Sequence, residues 1–158
     1  MAEWLKEQWH MLTTSEVWGL WNDPQPIIDG ITKESGVFDD GLLEVKMDSI
    51  LNQLGDMFGP TFKRMINIDA MDANTGTFTK FTEKTNTYNE FGEITIASSS
   101  IPFVFPATKW GNSVFIDGGV VYSADLSSGV QRCREIVDDD SKITVDIVIT
   151  HARKKDRF

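Results

Sequence analysis

Apolar residues recur along the chain with two periods, one helical and one alternating, in short blocks divided by turn residues. The clearest helical block is "DDGLLEVKMDSILNQLGDMFG", residues 39–59. There Leu43, Met47, Ile50, Leu51, Leu54, Met57 and Phe58 form a single stripe with i, i+4, i+7, i+8 spacing. Asp39 or Asp40 is placed to cap its start and Gly59-Pro60 to end it. A methionine-rich stripe of this kind predicts core rather than a ligand surface. Residues 2–12 predict a shorter helix, with Trp4, Leu5, Trp9 and Leu12 on one side. "TTSE" predicts a second turn, with Thr13 as N-cap and Glu16 three residues on. "WNDPQP" predicts loop, because Pro24 and Pro26 interrupt either regular structure.

The alternating signal begins at "FKRMINIDAMDANTGTFTKF", residues 62–81, which predicts two strands joined by a tight turn at Asn74-Thr75-Gly76. "ITIASSSIP" carries both signals: its propensity is that of a strand, yet Phe91, Ile94 and Ala97 also share a helical face. Val114, Phe115 and Ile116 predict a short buried strand ending at Asp117, where Gly118 and Gly119 let the backbone turn sharply. Leu126, Val130, Cys133 and Val137 recur at helical steps, and "SKITVDIVIT" is the most strand-like run in the chain. Strands and helices that alternate in this way predict one α/β domain over residues 1–158, with a largely parallel central sheet flanked by helices.

Composition narrows the function. A hydrophobic fraction of 41% in 158 residues suffices for a real core. The net charge of −9 argues against nucleic acid as a partner and against broad binding to anionic membranes. No run is long and apolar enough to span a bilayer, and Glu3, Lys6 and Glu7 break up any secretory leader in the first residues. The expectation is a cytoplasmic or peripheral membrane location. Cys133, His10 and His151 are the only soft or imidazole ligands, too few for a zinc site. "HARKKDRF" at the end is locally basic and predicts a solvated tail.

Asp117 is the strongest candidate for chemistry. Sites in open α/β sheets gather beyond the carboxyl ends of strands, and an acid partly desolvated by Phe115 and Ile116 suits a general base. The tripeptide by itself points to an ordinary Asp-Gly turn. "DANTGTFTKFTE" places Asp72, Asn74 and Glu83 at positions 1, 3 and 12 of a calcium loop, but Gly76 falls one position early and the flanks are strand-like. The four tryptophans among the first 21 residues predict helix-face core, with an interfacial contact with lipid as the alternative.

The context of Asp117 changes its weight. "ASSSIPFVFP", residues 97–106, stands just upstream of "FIDGG". Together these segments resemble the patatin-like phospholipase family, whose domains carry an Ala-Ser-x-x-x-Pro…Phe-Pro segment followed by a strand ending in Asp-Gly-Gly or Asp-Gly-Ala. "EQWHMLTTSEVWGLW", "SGVFDDGLL" and "INIDAMDANTG" are similar to other parts of that family in the same order. The resemblance implies a lipid acyl hydrolase with a Ser–Asp dyad, acting on a lipid ester and needing no metal or cofactor. It implies that Asp117 is the base and that Gly118 and Gly119 form the turn that fixes it.

Two departures from the family matter. Its serine lies in a G-x-S-x-G nucleophile elbow, and this sequence has none; Gly111-Asn112-Ser113 runs on into Val114 and Phe115. A glycine-rich oxyanion loop is missing as well. The chain therefore resembles the C-terminal portion of a patatin-like domain, with the nucleophile half expected upstream of residue 1. Ser113 shares a strand with Asp117 but stands about 13 Å away along it. Ser98, Ser99 and Ser100 lie near the expected site without the marks of an elbow. A non-catalytic patatin-like remnant that binds lipid or a protein partner is the alternative, and an unrelated α/β binding domain is a third.

Overall fold

The computed structural model describes residues 2–59, 61–122 and 124–148. The basic tail, the proline at position 60 and the last two residues of "SKITVDIVIT" lie outside the described residues. The chain divides into two compact units between Asp125 and Leu126.

In the first unit, helix α1 spans Ala2–Met11 and α2 spans Thr14–Val17. The backbone N–H of Thr13 donates to Glu16 Oε2 at 2.8 Å, the reciprocal half of the expected capping box. Residues 22–25 are a loop, and Pro26 then opens the one-turn helix α3, Pro26–Asp29, where its missing N–H costs nothing. A π-helical turn, Gly30–Glu34, follows and ends at Ser35 with φ +63°. Helix α4, Gly41–Phe58, has Asp40 as N-cap, and Gly59 stops it with φ +91°. Ile50 and Leu51 of the expected stripe are buried, whereas Met57 at its end is exposed. The side of α1 expected in the core is covered only in part: Trp4 and Leu12 are half-buried, whereas Leu5 is 41% and Trp9 76% exposed.

Strands β1, Asn67–Asp72, and β2, Thr77–Thr82, form the expected hairpin, in register from Asn67↔Thr82 to Asp72↔Thr77. Gly76 takes φ +70° and its N–H donates to Asp72 O at 2.8 Å, closing the turn. Helix α5, Tyr88–Ala97, resolves the ambiguous segment as helix. It packs on β1, β3 and β4 and also on α4, so Phe91, Ile94, Ile96 and Ala97 are all buried. A helix covered on more than one side loses its polar stripe, which is why its sequence also looks like a strand.

Strands β3, Thr108–Trp110, and β4, Ser113–Asp117, form a second hairpin turned by Gly111 at φ +59°. The four-stranded sheet has the order β2-β1-β4-β3, and every neighbouring pair is antiparallel. The expectation of a largely parallel α/β sheet is thus corrected: the arrangement is α+β. Two tight turns force antiparallel pairing within each hairpin, since parallel neighbours need a long crossover. The helix between β2 and β3 does not make β3 a parallel neighbour of either β1 or β2. The core lies where Leu51, Phe91, Ile94 and Ala97 of the helices meet Ala70, Phe81 and Phe115 of the sheet.

In the second unit, helix α6 spans Leu126–Arg134. Arg134 holds Asp140 through Nε at 2.8 Å and Nη2 at 2.6 Å, beside a 3₁₀ turn at Asp140–Lys142. Residues 143–148 form no strand, and Val148 is 90% exposed. The alternating pattern there has the right side chains, but a strand exists only through its ladder, and none is formed among the described residues.

Candidate active site

The apolar run Val114-Phe115-Ile116 drives β4 into the sheet beside β1, and Asp117 is its last residue. Asp117 lies directly opposite Ala70, and residues paired in this way share a face of the sheet. Ala70 is fully buried in the core against α5, so the carboxylate stands at the margin of the core, beside the end of that helix. The backbone N–H of Asp117 donates to Ser100 O at 2.9 Å, which ties the strand end to the segment leaving α5.

The two glycines have separate tasks. Gly119 donates its N–H to Asp117 Oδ1 at 2.7 Å, across a 3₁₀ turn at Gly118–Val120. Gly118 is buried, and a Cβ built on it would stand 2.7 Å from the carbonyl oxygen of Asp69. Among the chain's glycines, only 59, 76 and 111 take positive φ. The sharp turn at 118–119 therefore needs glycine at Gly118 for close approach to β1, not for left-handed backbone.

Asp117, Gly118 and Gly119 open on a cleft of about 410 Å³, also lined by Thr95, Ser98 and Ser99 of the α5 end and by Asp69, Tyr122 and Asp125. Three carboxylates thus share one cleft. Burial raises the Asp69 carboxyl above its ordinary range; Asn67 Nδ2, donating to it at 2.8 Å, opposes that shift, and the charge of Asp125 adds to it. Lys80 Nζ stands 3.3 Å from Asp125 Oδ2 and offsets part of the negative charge. Sequence reasoning passed over Asp69 and Asp125. Asp69 had a signal: it is an acid in the middle of the strand run "NIDAMD", next to Ala70.

The serines divide clearly. Ser113 sits at the other end of β4 from Asp117, and its Oγ donates to Asp72 Oδ2 at 2.8 Å. Ser100 is fully buried and donates to Ile96 O at 2.9 Å; Ser99 donates to Thr95 O at 2.8 Å. Ser98 lines the cleft. Among the described residues, no serine hydroxyl donates to Asp117. Asp72 and Glu83 do not form a calcium loop. The first accepts from Asn74 N at 2.9 Å in the hairpin turn, while the second accepts from Ile66 N at 2.8 Å beside the opposite end of the hairpin. Among the described residues, no group of three or more His, Cys, Asp or Glu side chains is placed to hold a metal.

The segments that carry the resemblance also meet in space. Val37 N donates to Phe103 O at 3.0 Å and Phe38 N to Val104 O at 2.9 Å, which joins "SGVFDD" to "IPFVFP". Trp21 Nε1 donates to Gly36 O at 3.0 Å and adds the N-terminal segment to the same junction. The family model for patatin-like phospholipase matches residues 1–128. The chain belongs to the patatin-like phospholipase family. That match takes in all four strands, Asp117 and the cleft, and it ends close to the start of the second unit. No curated protein and no solved structure matches the chain. Membership of this family makes lipid acyl hydrolysis the relevant class of chemistry. Among the described residues, no helix is long and apolar enough to cross a membrane.

Proposed function

We propose that this patatin-like chain supplies the base of a lipid acyl hydrolase, with Asp117 taking the proton of a serine carried by a segment outside residues 1–158. The observation that carries the reading is the setting of Asp117: it ends a strand, opens on a cleft and is held through Oδ1 by Gly119. In this reading the serine Oγ attacks the carbonyl carbon of a lipid ester while its proton passes to the Asp117 carboxylate. The tetrahedral intermediate collapses as that proton moves on to the departing alkoxide, leaving an acyl-enzyme. Water then gives a proton to Asp117 as its oxygen attacks the acyl carbon; the bond to serine Oγ breaks, the fatty acid leaves, and the proton passes from Asp117 to Oγ, which regenerates both the serine and the carboxylate.

In this reading the oxyanion donors come with the serine in the same outside segment, since the Gly119 N–H is already given to Asp117. The protein carrying that segment should hydrolyse lipid esters, and Asp117→Asn should lower turnover by on the order of a hundredfold or more while leaving the fold intact. Unchanged turnover in that variant would remove Asp117 from the mechanism.

A second reading has its own support. No serine hydroxyl among the described residues donates to Asp117, although Ser98 and Ser99 line the same cleft; that favours a non-catalytic patatin-like module that binds lipid or a protein partner. Absence of ester turnover in every longer form of the protein, together with retained lipid binding, would favour this reading over the first.

A further inference from the structure

A second cleft, of about 420 Å³, lies away from Asp117 and has a different character. Its walls are Leu5 of α1, Leu54 and Phe58 of α4, Tyr88 of α5, and Phe62 and Ile66 of the segment before β1. The wall is held firmly. Phe62 stacks on Tyr88 with ring centroids 3.8 Å apart and meets Phe91 edge-on at 4.7 Å, and Ile66 N is fixed by Glu83. This size is within the usual range for small-molecule sites.

The polar side chains that reach this cleft from the segment before β1 are Lys63 and Arg64, adjacent in sequence and both exposed. No acidic side chain lines the cleft, although the chain holds 24 acids against 15 bases. Neither Lys63 nor Arg64 is ion-paired among the described residues. Two adjacent cations thus stand at an apolar cleft in a protein with a net charge of −9, and one acid, Glu83, reaches the wall through Ile66 N.

We infer that this cleft binds a single-chain anionic amphiphile, a long-chain carboxylate, with the alkyl chain among Leu5, Leu54, Phe58 and Phe62 and the headgroup at Lys63 and Arg64. The apolar walls supply affinity that grows with chain length, and the paired cations select the anionic head. The site does not depend on the hydrolase reading, because its occupancy is measured without ester turnover.

The test is calorimetric titration of the full chain with octanoate, decanoate and dodecanoate below their micelle concentrations, beside dodecanol. Affinity should rise roughly fourfold for each buried methylene, from about 0.8 kcal/mol per CH₂. Dodecanoate should bind at least about tenfold more tightly than dodecanol, from the charge-assisted contacts. The double variant Lys63→Glu/Arg64→Glu, changed only at exposed positions, should lose about tenfold or more for dodecanoate and little for dodecanol. Leu5→Asp, also at an exposed position, should weaken both ligands. Lys63→Arg should retain dodecanoate binding. Equal affinity of the wild type and the double glutamate variant for dodecanoate, or no dependence on chain length, would overturn the proposal, as would no binding at all.

Discussion

Gly119 holds Asp117: its backbone N–H donates to the carboxylate Oδ1 at 2.7 Å, one turn beyond the strand that carries the acid. A carboxylate restrained in this way has one oxygen committed to the backbone and is oriented before any partner arrives. The restraint depends on Gly118, whose Cα faces the backbone of Asp69 too closely for a side chain.

Gly118→Ala should therefore disturb both the sheet and the site. Its Cβ would meet Asp69 O at 2.7 Å and Asp69 C at 3.0 Å, both of them backbone atoms with little freedom to move. The expected cost is about 1–3 kcal/mol of stability. Gly119→Ala should be milder, because the atom its Cβ would approach is the Asp117 side chain at 3.0 Å. Chemical denaturation of the two variants against wild type measures the difference; equal losses would contradict this division of tasks.

Ser113→Ala separates a structural serine from a catalytic one. Its hydroxyl heads the causes that hold Asp72 below the ordinary carboxylate range, ahead of the turn N–H of Asn74. Removing it should raise the Asp72 pKa and lower the melting temperature by a few degrees. It should leave ester turnover in the longer protein unchanged. NMR titration of Asp72 beside thermal melts checks the structural half. A large loss of turnover would return Ser113 to the list of nucleophiles.

Asp40 gives a pH dependence with a definite sign. Burial at the head of α4 pushes its carboxyl from the ordinary 3.8 up to about 6, against the pull of its own backbone N–H, and the charges of Asp39 and Glu44 add to the rise. The folded state therefore holds a proton that the unfolded chain releases. This group makes the protein more stable as pH falls from 7 through about 6, with the gain complete near about 4. Asp40→Asn should remove that contribution, so the stability difference between variant and wild type should shrink as pH is lowered. Urea unfolding at several pH values measures it; a difference that is flat with pH would show that Asp40 titrates normally.

What the sequence revealed, and what it hid, follows from where each element gets its stability. The hairpin at 67–82, the capping box at Thr13 and the start of α4 rest on neighbours in the chain, so local pattern sufficed; at that start Asp39 Oδ1 accepts from Gly41 N at 2.9 Å, while Asp40 holds the N-cap position without a side-chain cap. Helix α5 was ambiguous because sheet and helix cover it on different sides. The parallel sheet was wrong because strand direction is a property of pairing: Ala70↔Asp117 antiparallel is a contact across 47 positions that no local pattern encodes. The run at 143–148 has strand chemistry without a ladder among the described residues. Asp117, Gly118 and Gly119 were legible as a strand end and turn. Asp69 and Asp125 joined the same cleft only through the fold.

In the proposed reaction Asp117 serves a serine from outside residues 1–158. Labelling with a serine-reactive phosphonate, read by mass spectrometry beside ester turnover, tests it most directly. Residues 1–158 alone should take no label and show no turnover above background. Joined to a family-like upstream segment bearing G-x-S-x-G, the protein should label on that upstream serine, and Asp117→Asn should reduce labelling and turnover together by on the order of a hundredfold. Labelling of Ser98, or of any serine within residues 1–158, or full labelling and turnover in the Asp117→Asn protein, would contradict the account.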